Sequence, residues 1–159
     1  MAAYYFDTSA IVKRYLLETG STWVRTITDT TNQRGKPIHS ITIVSIGIVE
    51  TVAAFARRHR MGQLDAAARQ SMISLFVFHS KQQYRTVPLR DREVDLAADL
   101  VQRYPLRGYD AVHLATALVL RDHLVAARLP APIFVAADAN LCAVARAEGL
   151  SAENPNDYP

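Results

Sequence analysis

The sequence predicts an α/β domain built on a mostly parallel, buried sheet. Short apolar or β-branched segments recur along the chain, and each is followed by a segment whose apolar residues have helical spacing. Parallel strands need such crossover helices, and burial on both faces makes the strands continuous apolar runs. The length of 159 residues and a hydrophobic fraction of 50% allow a single domain, 1–159, with its own core.

Four segments fit strands and seven fit helices. The strands are predicted over Ala3–Phe6, Pro37–Thr42, Tyr84–Pro88 and Ile133–Ala137. The helices are predicted over Ser9–Glu18, Ser21–Asn32, Val44–His59, Leu64–Phe78, Asp91–Arg103, Asp110–Ala127 and Ala139–Glu148.

Local signals justify these elements in order. The first strand is the run that Asp7 interrupts, and two hydroxyl residues then open a helical pattern. Two successive helices form an α-hairpin before the third strand, and two more precede the fourth. Glycines 20, 35, 62 and 149 stand at or just past helix ends, as C-cap glycines do. The polar end, residues 153–159, is expected to fray.

Composition narrows the function classes. The single cysteine, Cys142, excludes an internal disulfide and the usual structural zinc patterns. No signal-peptide pattern opens the chain, and no apolar run reaches the ~20 residues of a membrane span. We therefore expect a soluble, cytoplasmic protein that is not associated with a membrane. The net charge of +3 is too small to indicate nucleic-acid binding by itself.

Glu50 has an unusual setting for a carboxylate. Its neighbours one helical turn away are small and apolar, so it lies on a face that should be buried. A buried carboxylate persists when it is paired, protonated or bound to metal. A salt bridge to Arg57 or Arg58 at the helix end is the structural alternative.

Three aspartates begin predicted helices. Asp7 and Asp138 each follow an apolar strand and precede a helix, and Asp110 opens a helix after Gly108. Each position also suits a plain capping residue, because an acid there complements the helix dipole. Taken singly, none of the three indicates chemistry.

Together the four acids predict a metal site. The carboxyl ends of parallel strands lie along one edge of a sheet, where ligands bind, and Asp7 and Asp138 belong to that edge. Asp110 and Glu50 converge there if their helices pack over the first strand. Carboxylates without a matching basic cluster repel one another, and Mg²⁺ or Mn²⁺ is the usual remedy.

Four segments of the sequence resemble motifs of the PIN-domain ribonucleases. They are "YYFDTSAIVKRYL", "SIGIVETVAAFAR", "LRGYDAVHLATAL" and "FVAADANLCAVARAEGL". The resemblance spans residues 4–150, and the most similar subgroup is the VapC-like toxins of toxin–antitoxin pairs. It implies a PIN-like three-layer domain with a mostly parallel sheet of four to five short strands and about seven helices. One departure is Ala136, where the family commonly has Thr or Ser.

The resemblance also implies a function and a site. It implies a metal-dependent endoribonuclease that binds one or two Mg²⁺ or Mn²⁺ ions and hydrolyses RNA. Asp7 and Asp110 would be the principal ligands, and Glu50 and Asp138 further ligands. Thr8 and Ser9 match hydroxyl residues that orient a carboxylate or a metal-bound water. The implied partners are RNA, a cognate antitoxin and a second copy of the chain in a homodimer.

Other residues of the sequence admit two interpretations. Arg57, Arg58 and Arg60, and less clearly Lys13 and Arg14, either contact RNA phosphates or form solvated helix ends. His113 either hydrogen-bonds Asp110 or is a packed core residue. The segment from Met72 to His79 is either buried or partly an interface.

Two competing functions are weighed. A phosphoryl transferase with Asp7 as nucleophile of the haloacid-dehalogenase type needs a second aspartate two positions on, where the chain has Ser9. A catalytically silent PIN-like module that only binds RNA or protein predicts a broken acidic set.

Overall fold

A single five-stranded sheet organises the chain. The computed structural model describes residues 1–159 and places the strands in the order β3-β2-β1-β4-β5, all parallel. The strands are β1 (Ala3–Phe6), β2 (Ser40–Val44), β3 (Tyr84–Val87), β4 (Ile133–Val135) and β5 (Ser151–Glu153). The helices are α1 (Thr8–Tyr15), α2 (Ser21–Thr28), α3 (Ile46–Arg60), α4 (Ala66–Gln82), α5 (Asp91–Arg103), α6 (Gly108–Ala126) and α7 (Ala139–Ala147).

Helices cover both faces of this sheet and make three layers. Successive β1 residues point to opposite faces: Tyr5 packs in one core with side chains of α5, α6 and α7, and Phe6 packs in a second core with α1 to α4. On the first face the Tyr5 ring stacks on Phe134 of β4, with ring centroids 5.7 Å apart. The predicted three-layer α/β class is confirmed.

Two strands differ from the sequence prediction. β2 is displaced toward the C-terminus, because pairing with β1 begins at Ser40 and Pro37 has no N–H to donate to a ladder. β5 was not predicted. It has three residues, of which only Ala152 is buried, so it lacks the apolar run by which a strand is recognised.

The chain end is packed, which corrects the prediction that residues 153–159 fray. Glu153 ends β5, and a 3₁₀ turn follows over Pro155–Asp157. The Tyr158 ring stacks on Trp23 of α2, with centroids 4.6 Å apart. Gly20, at φ 82°, approaches this turn so closely that a Cβ there would lie 2.2 Å from the Pro155 carbonyl oxygen. The polar composition of the tail concealed these contacts.

None of the helices combines the length and the apolar character that crossing a membrane requires.

Parallel order determines where functional side chains can meet. All five strands end at the same edge of the sheet, and β1 lies at its centre between β2 and β4. Asp7 follows β1 and Asp138 follows β4 closely. The helix α3 begins at the same edge because it directly follows β2. The helix α6, which follows α5, also begins there.

Candidate active site

Asp7 is held rigidly at the end of β1. It is the N-cap of α1, and its carboxylate accepts hydrogen bonds from the Ser9 backbone N–H at 3.0 Å and from the Ser9 hydroxyl. The Ser9 oxygen in turn accepts a hydrogen bond from the Ala137 backbone N–H at 2.8 Å. The capping interpretation of Asp7 is confirmed. Ser9 links the end of β1 to the residue before Asp138.

Glu50 lies inside α3, and its partners are not the predicted arginines. Its carboxylate accepts a hydrogen bond from the Thr8 hydroxyl at 3.0 Å and contacts the Nε2 atom of His113 at 2.7 Å. Neither Arg57 nor Arg58 forms an ion pair with it. The structural alternative for Glu50 was therefore right in kind, since the carboxylate is paired, and wrong in partner.

His113 is the hub of this part of the site. It is 1% exposed, in α6, and its Nε2 atom lies 2.7 Å from Glu50 and 3.4 Å from the nearer Asp7 oxygen. Its Nδ1 atom lies 3.1 Å from the Tyr5 hydroxyl. The sequence offered a packed core position or a contact with Asp110, one turn away on the same helix. The ring is packed in the core, and it joins the carboxylates of Asp7 and Glu50 instead of Asp110.

The charges of this cluster are coupled. Burial disfavours the charged form of Glu50, but the hydrogen bond and the positive charge of His113 outweigh it and lower the pKa of that carboxyl. Burial likewise opposes the charge on His113, and the nearby Asp7 and Glu50 carboxylates outweigh it and raise the pKa of the imidazole. The two carboxylates therefore favour protonation of His113, and the protonated ring neutralises part of the acidic cluster.

Asp110 has no such compensation. It is half-buried in the first turn of α6. Burial and the charges of Asp7 and Asp138 raise the pKa of the Asp110 carboxyl, and Arg107 and His113 offset only part of that rise. Negative charge is therefore in excess around Asp110.

Asp138 lies at the border of the cluster. It is the N-cap of α7, and its carboxylate accepts a hydrogen bond from the Leu141 backbone N–H at 2.8 Å. The capping interpretation of Asp138 is confirmed. Its side chain is exposed, and its charge reaches Asp110 without lining the cavity shared by the other three acids.

That cavity has a volume of about 540 Å³ and opens at the carboxyl edge of the sheet. Asp7, Glu50 and Asp110 line it, together with the hydroxyl residues Thr8 and Ser9. Three arginines complete its wall, namely Arg57, Arg60 and Arg107. None of the three forms a salt bridge. The cavity thus pairs an acidic floor with cations that are free to bind an anion.

The remaining predicted phosphate contacts are engaged elsewhere. The Lys13 ammonium is 3.1 Å from Glu18, and the Arg14 guanidinium is 2.8 Å from Asp29, with both basic side chains buried. Arg58 pairs with Glu18 at 2.9 Å. Burial and pairing leave Lys13 and Arg14 unable to reach an RNA backbone, which corrects their assignment.

The donor chemistry of the cavity suits a hard divalent cation. Carboxylate oxygens are the ligands that Mg²⁺ and Mn²⁺ prefer. Burial and the charges of Asp7 and Asp138 raise the pKa of Asp110, and a bound cation would oppose that rise. No three His, Cys, Asp or Glu side chains stand at coordinating distance around one point, and Glu50 and Asp7 face His113. Asp7, Glu50 and Asp110 fit the ion in type and charge.

Two residues of the site were not singled out from the sequence. Arg107 and Tyr109 flank Gly108 at the start of α6 and line cavities beside Asp110. The signal was present in "LRGYD", where a cation and an aromatic ring precede an acid on a helix start. Spacing alone did not show that both side chains face the acids.

Comparisons with known proteins assign the fold. No protein-family model matches the sequence, and no curated protein matches it either. Solved structures do match, and they define the class as the three-layer α/β fold of PIN domains, which confirms the resemblance at the level of the fold.

The particular neighbours are toxin structures. The VapC20 toxin of Mycobacterium tuberculosis, described as cleaving the sarcin-ricin loop, has 12% identity and a TM-score of 0.60, over 90% of this chain and 95% of that one. The Rickettsia felis VapBC2 complex bound to a promoter DNA fragment has 13% identity and a TM-score of 0.60, over 96% and 98%. A Klebsiella pneumoniae toxin–antitoxin complex has 16% identity and a TM-score of 0.54, over 96% and 97%. The chain is similar in fold to VapC toxins.

Proposed function

We propose that this protein is a metal-dependent endoribonuclease and the toxin of a toxin–antitoxin pair. One observation carries the proposal: three carboxylates and three unpaired arginines line a single open cavity at the carboxyl edge of a parallel sheet. Hydrolysis of a phosphodiester requires both kinds of group, because an anionic backbone must be held close to an acidic centre. The fold shared with VapC structures supports the same class.

The arginines bind the RNA backbone. Arg57 and Arg60 lie one turn apart at the end of α3, and Arg107 lies at the start of α6 on the other side of the cavity. A guanidinium binds phosphate through paired N–H donors. Arginines on both walls orient the RNA backbone across the acids.

The carboxylates bind the metal. Asp7, Glu50 and Asp110 would hold one or two Mg²⁺ or Mn²⁺ ions, and Asp138 would contribute from the border. When bound, such an ion acidifies a water and stabilises the charge that develops on the phosphate. Thr8 and Ser9 hold the Glu50 and Asp7 carboxylates in place through their hydroxyl groups.

The proposed partners are an antitoxin protein and a second copy of the chain. Two of the compared structures, from Klebsiella pneumoniae and Rickettsia felis, are complexes of a toxin with its antitoxin, and two apolar side chains of α4, Leu75 and Phe78, are 49% and 58% exposed. Exposed apolar residues on one helix suit a protein interface. Sedimentation analysis of the native protein and of Phe78→Asp tests the homodimer, since the variant should sediment as a monomer.

Cleavage of RNA is the experiment that tests the enzyme. Purified protein is incubated with structured RNAs in Mn²⁺, in Mg²⁺ and in EDTA, beside Asp7→Asn. We expect endonucleolytic fragments only with metal and only with the native residue.

A matched control is Asp95→Asn, which removes an exposed carboxylate of α5 outside the cavity. It should cleave like the native protein. Absence of metal-dependent fragments from every RNA would favour a module that binds RNA or protein without catalysis. Equal cleavage by Asp7→Asn would instead show that the acidic cavity is not the source of the cleavage.

A further inference from the structure

A second cavity adjoins the acidic one and has no role in the chemistry described above. Its volume is about 560 Å³, and its wall contains Glu50, Arg107, Gly108, Tyr109, Asp110 and Val112. Glu50, Arg107 and Asp110 belong to both cavities. A ligand that crosses the acids therefore continues directly into this second space.

Tyr109 is the unusual residue of that wall. Its side chain is 59% exposed, and no hydrogen bond or aromatic contact engages it within the chain. An aromatic ring at a cavity mouth presents a flat apolar face to whatever the cavity holds. The open space at Gly108, where an added Cβ would have no heavy atom within 4 Å, leaves the ring accessible.

Arg107 supplies the second planar group. It precedes Tyr109 by two residues, lines both cavities and forms no ion pair. An aromatic ring and a guanidinium are the two side-chain surfaces on which unpaired nucleobases stack. Arg107 also lines the cavity that would bind the phosphate, and this continuity favours a nucleotide over a protein side chain as the occupant.

We propose that the cavity at Tyr109 and Arg107 binds one unpaired nucleobase of the RNA, next to the phosphate held over the acids. The inference rests on the proposed ribonuclease function and deepens it by assigning Tyr109 and Arg107 to the base beside the bound phosphate. Bases inside a duplex are stacked on one another and cannot enter, so the site selects single-stranded or loop RNA. Every base can stack on these groups, so the site distinguishes unpaired from paired nucleotides and does not distinguish one base from another.

Binding without cleavage tests the proposal. The probe is a short fluorescein-labelled oligouridylate, measured by fluorescence anisotropy in EDTA. Tyr109→Ala should weaken binding by about tenfold, the usual effect of removing one stacking side chain, and Tyr109→Phe should bind like the native protein. The matched control is Val125→Ala, which removes apolar surface of 56% exposure from the other end of α6 and should change nothing.

A second probe separates base contacts from backbone contacts. In an abasic strand of the same length and charge, the native protein and Tyr109→Ala should bind equally well. An equal loss on both probes would show that Tyr109 contacts the backbone or supports the fold, and would overturn the proposal. Unchanged binding of oligouridylate by Tyr109→Ala would also overturn it and leave the ring for a protein partner.

Cleavage kinetics distinguish this proposal from the ribonuclease function. If the native protein cleaves RNA in Mn²⁺, Tyr109→Ala should raise KM for a loop substrate by about tenfold with little change in kcat. Cleavage with an unchanged KM would refute the nucleobase site alone. If the native protein cleaves nothing, the ribonuclease proposal fails, and a base-dependent loss of binding still supports the nucleobase site.

Discussion

The two ends of α1 carry two polar clusters of opposite character. At the N-terminal end, Asp7 and Thr8 belong to the acidic cavity. At the C-terminal end, Arg14 and Tyr15 are buried. The Arg14 guanidinium donates to Asp29 and to the Tyr84 hydroxyl, the latter at 2.7 Å. One cluster opens to solvent and the other is closed.

The polar groups of the closed cluster form hydrogen bonds with one another. The Tyr15 hydroxyl lies 3.0 Å from that of Tyr84 and 2.9 Å from the Nδ1 atom of His79. Burial and the Arg14 charge lower the pKa of His79 to about 4, so the ring is neutral near pH 7 and its Nδ1 atom shares a hydrogen bond with the Tyr15 hydroxyl. One cation meets one carboxylate, and each hydroxyl has a partner.

The two clusters show how charges that stabilise the fold differ from charges that are available for function. Around Arg14 every charge is compensated within the chain, as in a group retained for stability. Around Asp110, burial and the charges of Asp7 and Asp138 raise the pKa of the carboxyl, and Arg107 and His113 offset only part of that rise. A perturbed carboxyl in an open cavity of this kind marks a candidate functional site.

The largest expected effect is on the open cluster. Asp110→Asn should reduce the rate of RNA cleavage about a thousandfold, because roughly 4 kcal/mol of transition-state stabilisation is lost with a metal ligand. The same change should raise the melting temperature in EDTA, since it removes one of the repelling charges. Single-turnover kinetics and thermal unfolding measure the two effects, and a lower melting temperature would contradict the comparison.

Breaking the closed cluster should affect stability alone. Arg14→Met removes a buried cation and should lower the free energy of unfolding by about 3 kcal/mol. Urea denaturation measures the loss. The matched control is Arg92→Met, from an exposed pair with Asp122 at 3.3 Å, and its effect should stay under about 1 kcal/mol. The folded fraction of Arg14→Met should cleave RNA at the native rate.

His113 sharpens the comparison, because it is the internal cation of the open cluster. His113→Gln should lower the free energy of unfolding in EDTA by about 2 kcal/mol, through loss of a buried, hydrogen-bonded partner of two carboxylates. Saturating Mn²⁺ should then stabilise His113→Gln more than the native protein, since the ion replaces a missing charge. Equal Mn²⁺ shifts in melting temperature would mean that the ion binds away from these carboxylates.

The smallest effect concerns pH and the closed cluster. The pKa of His79 is lowered to about 4 in the folded protein, so the unfolded chain takes up its proton first as pH falls below the ordinary value of about 6.5. The free energy of unfolding should therefore decline between pH 6.5 and pH 4. His79→Gln, whose amide oxygen also accepts a hydrogen bond, should show a shallower decline in urea titrations.

Local sequence predicted much of the fold but less of the site. Apolar runs located β1 and β4, since burial on both faces produces such runs, and aromatic and β-branched residues located the edge strand β3, of which only Tyr84 is buried. β5 escaped prediction because its three residues include no β-branched or aromatic side chain.

The site depended on contacts that spacing cannot reveal. Asp7 and Asp138 were predictable at one sheet edge, because both follow parallel strands. The contact of His113 with Glu50 joins residues 63 positions apart, and its turn away from Asp110 depends on the packing of α3 against α6. The burial of Lys13 and Arg14 was equally invisible, since their acidic partners lie in separate loops.

The central position of β1 has a consequence for synthesis of the protein. β1 leaves the ribosome well before β4, at Ile133–Val135, which is one of its two neighbours in the sheet. Until β4 emerges, Asp7 has no adjoining strand on that side, and the Ser9 contact with Ala137 is absent. Because domains fold as units, the cavity is assembled only after β4 has been made. A nascent chain that ends before β4 therefore lacks the complete site while it is still on the ribosome.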